Sequence, residues 1–505
     1  MPGKRSAFSS QLSAKTKFSP IILHVSSFPA PIRLSPMLMT IIIAPTVYEP
    51  RTFMGRGAVI FLWLCLGWGV TALAAPAPLT LSEAMLLALK HNPALAAAGL
   101  AVETAEADLA RARARFLPTV NFNETYNFSD NPSQVFMSKL NQRVFTGQDF
   151  LLNNLNNPNA YGNFRTGLVM RQPLFQAGEA HLGYQQARLG REMAAAYILS
   201  VRQQLLFQVT QAYFGLQLAQ ENLTVVQQAR HTASAHLKIA QTRFKAGTVV
   251  HSDVLSAQVH LARLTQEEMT AASRVQIGRS ALATVVGRPE AGERPLAPAP
   301  TVPAPLPPKL DDLNQTAQET RPDLKQLELA ARVAQQEYAK ARLNYLPRLH
   351  VVAEYDVDQR RLFGSSADGY TVMALLNFNL FNGLTDLAKV RETRAKETQA
   401  RDLKRDLEDR VRHQVTEAIL NLKTAQARLG VAEKAAAQAR ESLRLIRLRY
   451  QSGLTILVDL LTAEDATKNA ELSRVAARFD TYLAQAGLDL ALGTISGPVA
   501  EGERP

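Results

Sequence analysis

Arg243-Phe244-Lys245-Ala246-Gly247, with Asp253-Val254-Leu255 behind it, returns as Arg449-Tyr450-Gln451-Ser452-Gly453, with Asp459-Leu460-Leu461 behind it. The two stretches stand 206 positions apart. That is far beyond the roughly 20–50 residues of a solenoid repeat, so the chain reads as two copies of one whole structural unit. Working upstream, Phe116-Leu117-Pro118 is echoed by Tyr345-Leu346-Pro347 and Asn92-Pro93 by Arg321-Pro322, both at an offset of 229. The change of offset from 229 to 206 means that some 23 residues were added to the first copy, between Pro118 and Phe175, or lost from the second, between Pro347 and Phe381. The Asn- and Gln-rich stretch 131–158 is the candidate insertion, at an outer mouth.

Each repeated glycine closes a proline-free run, from Gly178 to Gly247 and from Gly383 to Gly453. In the second run Leu403, Leu407, Val411, Val415, Ile419 and Leu422 fall at helical spacing. At 1.5 Å per residue, either run makes a helix about 100 Å long. Glycine ends such a helix because it alone enters the left-handed region without strain. After each glycine, Ser252 or Asp253, and Asp459, are expected to cap a second helix, running to about Val286 or Leu492. The two copies thus contain long antiparallel α-hairpins over 178–287 and 383–492.

Before each long run the period changes. Pro93 and Pro322 break helix-favouring segments near their starts, and the Leu-Pro pairs end them. Val120, Phe122, Tyr126 and Phe128 then alternate with Asn121, Asn123, Thr125 and Asn127, with Glu124 interrupting the apolar series. In the second copy Leu349, Val351, Ala353, Tyr355 and Val357 alternate with mostly polar residues, and Tyr370, Val372, Ala374, Leu376, Phe378 and Leu380 share one face of the return. Strand hairpins are expected at 119–174 and 348–380. Alternation over about ten residues suits a transmembrane β-strand, and equally a half-buried strand of a soluble sheet.

The boundaries follow. Residues 79–287 form the first repeat and 309–493 the second; 494–505 is a tail. Between the repeats, 288–308 holds eight prolines in 21 residues and is expected to be an extended connector. Near the start, Ala58–Leu73 is an unbroken run of 16 apolar and small residues between Arg56 and Ala72-Leu73-Ala74. It reads as a signal peptide over 54–74, the alternative being an anchor helix, which ordinarily needs roughly 20 residues. Residues 1–53 lack periodicity and are expected to precede the true start at Met54.

Composition removes several functions. Cys65, the one cysteine, lies inside that apolar run, so the rest of the chain has neither disulfides nor thiolate ligands. The formal charge of +12 falls to an excess of six bases, 49 against 43 acids, once residues 1–74 are set aside. Spread over that length, it gives no reason to invoke nucleic acid. No phosphate loop, nucleophile elbow or acid pair with a supporting histidine is present, and the nine histidines form no metal-ligand spacing. An enzyme, a cofactor and a metal site are not expected.

Four strands in lipid would leave open edges, each unpaired backbone group costing several kcal/mol, and closed membrane barrels begin at about eight strands. Three chains would supply twelve, so the expected fold is an α+β membrane protein. A homotrimer builds a 12-stranded β-barrel, four strands per chain, in outer-membrane lipid. A long 12-helix α-barrel continues it. The rival class is a coiled-coil scaffold without a pore, which explains the helices but not the matched strands.

Leu-Ser-Glu-Ala at 81–84 with Asn92-Pro93, the two Leu-Pro motifs, Gln172-Pro173-Leu174-Phe175 with Asn379-Leu380-Phe381, and the two Arg-aromatic-Gly-Asp turns resemble the TolC family of outer-membrane efflux proteins. The resemblance covers 79–493. It implies a trimeric duct in the outer membrane of a Gram-negative bacterium, crossing the periplasm. It also implies recruitment by a periplasmic adaptor (membrane fusion protein) and an inner-membrane pump or ABC transporter. By the same resemblance the helical tips hold the entrance: Asp253 and Tyr450 match an aspartate–tyrosine lock. Ser252 and Thr455 stand where a second lock has threonine and arginine. Asp459 matches the first of two rings of aspartates, and Thr462 falls at the second, with Glu464 and Asp465 as nearby substitutes. The turns at Gly247 and Gly453, with Arg243 and Arg449, would dock the adaptor. Phe122, Tyr126, Leu349, Tyr355, Tyr370 and Phe378 are the expected barrel residues.

Overall fold

Asn92 caps the helix that Pro93 opens: its Oδ1 accepts from the Ala94 and Leu95 amides, and proline at the first position loses no hydrogen bond. The computed structural model describes residues 77–299, 309–362 and 367–496. The signal peptide expected over 54–74 and the extension 1–53 lie outside them, as does the second half of the connector.

The first copy runs α1 (Leu81–His91), α2 (Pro93–Ala114), β1 (Thr119–Ser129), α3 (Pro132–Asn141), α4 (Leu152–Asn156), β2 (Tyr161–Phe175), α5 (Glu179–Lys245) and α6 (His251–Val286). The second runs α7 (Leu310–Thr320), α8 (Pro322–Arg342), β3 (Arg348–Gln359), β4 (Ala367–Asn377), α9 (Thr385–Gln451) and α10 (Leu457–Leu492). Corresponding long helices have equal lengths, 67 residues for α5 and α9 and 36 for α6 and α10. Among the described residues, helices between paired strands occur in the first copy alone, as α3 and α4 between β1 and β2.

α5 pairs with α6 and α9 with α10, and the two hairpins meet where α10 packs on α5. The main core gathers there: Leu206, Val209, Tyr213 and Phe214 of α5, Val275, Leu282 and Val286 of α6, and Val475 and Phe479 of α10, covered by Ala84, Met85 and Ala88 of α1. A second cluster joins Leu313 and Ala317 to Val411, Val415 and Leu422 of α9 and to Leu488 of α10.

The connector differs from its expected extended form where it is described. Proline content removes amide donors but leaves carbonyls, and those carbonyls find partners. The Leu79 amide donates to the Pro295 carbonyl at 2.7 Å, the Ala297 amide to the Leu79 carbonyl at 2.9 Å, and the Tyr213 hydroxyl to both the Leu79 and Ala297 carbonyls. Arg294 bridges Glu83 at 2.6 Å, and Ala291 is buried. Residues 289–297 are therefore a strap packed on the first copy.

The four strands form one antiparallel sheet in the order β1-β2-β3-β4. The connections to α2, α5, α8 and α9 leave from one end of it, and residues 130–160 lie at the other.

Candidate functional site: the sheet faces and the helical tips

Register alone sorts the sheet into two chemistries. Val120, Phe122, Tyr126 and Phe128 pair with Met170, Leu168, Phe164 and Gly162. Phe164, Leu168 and Met170 are carried on to Gln359, Tyr355 and Ala353. Leu349, Val351, Ala353 and Tyr355 face Leu376, Ala374, Val372 and Tyr370. Cross-strand partners share a face, so one face is a continuous apolar and aromatic surface across all four strands. It is open: Phe122 is 64% and Tyr370 82% exposed. Glu124, the interruption, accepts from the Thr166 hydroxyl at 2.6 Å on that same face.

The opposite face carries Asn121, Asn123, Asn127, Asn163, Arg165, Glu354, Asp356 and Asp358, with Val169, Val352, Met373 and Leu375 among them toward the end near the long helices. Arg165 pairs with Asp356 at 2.8 Å, and the Asn163 amide donates to Asp358. The outer backbone edges of β1 and β4 have no strand partner among the described residues. Of the expected barrel residues, Phe122, Tyr126, Leu349, Tyr355 and Tyr370 lie in strands. Phe378 does not: β4 ends at Asn377, because Asn379, Asn382 and Asn344 converge on Asp386 and turn the chain toward α9.

No single helix among the described residues is long and apolar enough to cross a membrane; α1 and α2 reach that composition only as a pair bent by 48°. The apolar side of α1 is taken up by the core.

At the far end of the helices, Gly247 and Gly453 adopt φ of +70° and +73°. The Thr248 amide donates to the Arg243 carbonyl at 2.9 Å and the Leu454 amide to the Arg449 carbonyl at 2.8 Å, satisfying helix-end carbonyls in both tips alike. Between the tips, Ala240, Val254, Ala257, Leu457, Leu460 and Leu461 form a small core against which Tyr450 packs. The Arg243 guanidinium lies 5.1 Å from the Tyr450 ring centre. Among the described residues no hydrogen bond joins Asp253 to Tyr450. Ser252 is exposed, and the Thr455 hydroxyl donates to Asp459.

The expected caps are displaced. Val250 and Ile456 occupy the cap positions without side-chain hydrogen bonds. Asp253 and Asp459 sit inside the first turn, where a carboxylate meets the positive helix end without capping it. Glu464 and Asp465 are both taken up in ion pairs within the chain. Glu464 faces His236 at 2.7 Å and Arg447 at 3.6 Å; Asp465 pairs with Arg263 and lies 3.6 Å from Lys468. Lys468, nearly fully buried, also binds Glu267 at 2.5 Å, which ties α10 to α6. Burial holds the His260 pKa below its usual value despite Asp465. Sequence reasoning missed this seam because its partners lie some 200 residues apart. Among the described residues no three His, Cys, Asp or Glu side chains gather as a metal-ligand set.

A sequence model of the family described as outer membrane efflux protein matches residues 85–288 and 313–494. The chain belongs to that family, the TolC family of outer-membrane efflux proteins. This efflux protein is 26% identical over 428 residues to the alkaline protease secretion protein AprF of Pseudomonas aeruginosa, covering 81% of this chain and 83% of that one. It is 26% identical over 466 residues to protein CyaE of Bordetella pertussis, covering 89% and 91%. The CmeC outer membrane channel of Campylobacter jejuni shares its fold at a TM-score of 0.72 and 17% identity, over 82% of this chain and 85% of that one. As a member of the family, the protein resides in the outer membrane.

Proposed function

We propose that the efflux protein is a passive exit duct of a tripartite efflux or type I secretion system. Three chains close their sheets into one twelve-stranded barrel, and their helical hairpins continue it as a twelve-helix cylinder through the periplasm. The carrying observation is a four-stranded sheet with one apolar face, one polar face and two unpaired edges. In lipid, open edges cost several kcal/mol per unpaired group, and a threefold assembly removes them all. The apolar face then meets lipid and the polar face lines the lumen. The equal helix lengths of the two copies support an origin by duplication and let all the hairpins end at one level.

A periplasmic adaptor would dock at the turns of Gly247 and Gly453, beside Arg243 and Arg449, and deliver cargo from an inner-membrane pump or ABC transporter. The tips would gate the entrance. Asp253 and Tyr450 from neighbouring hairpins form one lock, Ser252 and Thr455 replace a second, and Asp459 forms a ring of like charge that favours cations. With only one lock matched, the gate is looser than in relatives with two.

Purified protein in detergent should have the mass of a trimer and a circular dichroism spectrum with β content. A water-soluble monomer without β content would overturn the duct. In planar bilayers, Asp253→Ala or Tyr450→Phe should raise a small conductance modestly. Unchanged conductance in both would remove the gate while leaving the duct standing.

A further inference from the structure

The long connection between β1 and β2 turns back over the polar face of the sheet. Asn127 of β1 donates to Gln134 of α3 at 3.2 Å. The Gln142 amide, just past α3, donates to Asn163 Oδ1 at 2.7 Å and to the Gly162 carbonyl at 3.2 Å, while the Tyr161 hydroxyl donates to Gln142 Oε1 at 2.8 Å. Asn163 passes the chain of bonds on to Asp358 of β3, and Gln142, Asn163 and Asp358 are all buried. Arg143 completes the crossing by donating to the Asp368 carbonyl of β4 at 2.7 Å. The segment thus touches β1, β2 and β4 directly, and reaches β3 through Asn163, at the end remote from the long helices. Asn127 and Asn163 share a face with Asn121, so the segment lies on the polar side.

The insertion is also stiffened from within. Phe136, Phe145 and Phe150 stack edge to face, with Phe136 and Phe145 centred 4.8 Å apart. Lys139 binds Asp149 at 2.7 Å. Arg143 holds a left-handed backbone, φ +55°, at the end of α3, where glycine is the usual residue. An arginine at a position suited to glycine is accounted for by its hold on β4.

We propose that residues 130–160 form a strap across the outer mouth of the duct, which sets the size of cargo that leaves. Small polar solutes pass with the strap seated; bulky polymers pass only once it lifts. The strap rests on the barrel reading above, since the polar face is a lumen only in a closed barrel.

The test uses intact cells making the full chain with Cys65 replaced by serine and with Asn121→Cys on the polar face, or Phe122→Cys on the apolar face. Cells are treated from outside with a small charged maleimide or with one carried on a long polyethylene-glycol chain. Each cysteine is combined with removal of 132–158, and separately with Arg143→Gly plus Gln142→Ala. The second combination suits the backbone at 143 and releases only the anchors. The small reagent should label Asn121→Cys throughout and Phe122→Cys in none. The polymer should label Asn121→Cys at least about tenfold faster after release, a barrier change of roughly 1.4 kcal/mol. Equal polymer labelling with and without the anchors overturns the strap alone, as does polymer labelling in neither. Failure of the small reagent at Asn121→Cys in every background overturns the lumen and the strap together.

Discussion

α5 and α9 are the same length and occupy corresponding places, yet they are held by different physics. α5 buries Leu205, Leu206, Val209, Tyr213, Phe214 and Leu216 in one continuous band. It is packed on by α1, α2, α6, α8 and α10. α9 packs chiefly on α7, α8 and α10, touches α5 and α6 at the tips through Tyr450, and buries a sparser stripe from Val411 to Leu422. Its remaining surface is laced with pairs along its own axis, among them Arg401–Glu397 at 2.5 Å, Arg410–Asp406 at 2.6 Å and Lys404–Glu408 at 3.5 Å. Within α5 the corresponding kind of pair is Arg188–Glu192 at 3.5 Å. The difference teaches that a copied length can persist while the forces behind it diverge. A helix surrounded by others is held by apolar burial. One facing solvent must keep a polar face, and each pair there contributes little.

Truncations on the two helices' cores break or sharpen this contrast most. Phe479→Ala, which empties the α5 side of the main core, should cost about 3–5 kcal/mol, read as a lowered midpoint in denaturant. A loss below that of Leu422→Ala on α9 would refute the ranking of the two cores. The next effect tests the seams where the long hairpins close. At Gly287, φ +75°, an added Cβ would meet the His91 carbonyl oxygen at 2.7 Å, while at Gly493, φ +72°, it would meet the Arg321 side chain at 3.0 Å. At Gly247 and Gly453 nothing lies within 4 Å. Alanine at either tip should therefore cost only the left-handed strain of about 1–2 kcal/mol. Gly287→Ala should cost clearly more, with Gly493→Ala between.

Smaller again, Arg410→Ala on α9 should change stability by about 0.2–0.5 kcal/mol, and less in high salt. A loss above 1 kcal/mol would mean that the charged face of α9 carries a load assigned here to α5's core.

The least response is expected from pH near neutrality, where the two strand hairpins differ. The hydrogen bond from Lys139, helped by the Thr146 amide and hydroxyl, lowers the Asp149 carboxyl to about 2. A carboxyl depressed on folding stabilises the insertion above its ordinary value of 3.8. That contribution is lost progressively as the pH falls below 3.8 and through about 2. Protection of the 130–160 amides from hydrogen exchange should thus be level from pH 7 to about 5. A decline in that range would show that another group holds the strap.

Much of the site was readable from local signals. Asn92-Pro93, the Leu-Pro pairs and the glycines at 178, 247, 383 and 453 bracket helices because each acts through its own backbone torsions. Alternation around Phe122 and Tyr355 sorts two faces because successive side chains of a strand oppose one another. The helix caps were misread at Asp253 and Asp459 because cap position depends on where the first turn closes, and the apolar Val250 and Ile456 give no signal for it. Phe378 was misread because the Asp386 cluster, not propensity, ends β4.

Taken alone, the amino-acid order determined the lengths, the periods and the repeat, since these depend on each residue's torsions and on neighbours a few positions away. Only the tertiary structure decided that residues 289–297 pack on Leu79 and Tyr213, that Lys468 bridges Glu267 and Asp465, and that Gln142 and Arg143 draw the insertion across the polar face. Those contacts join groups far apart in sequence, and a hydrogen bond or ion pair acquires a partner only when folding has brought the partner within about 3 Å.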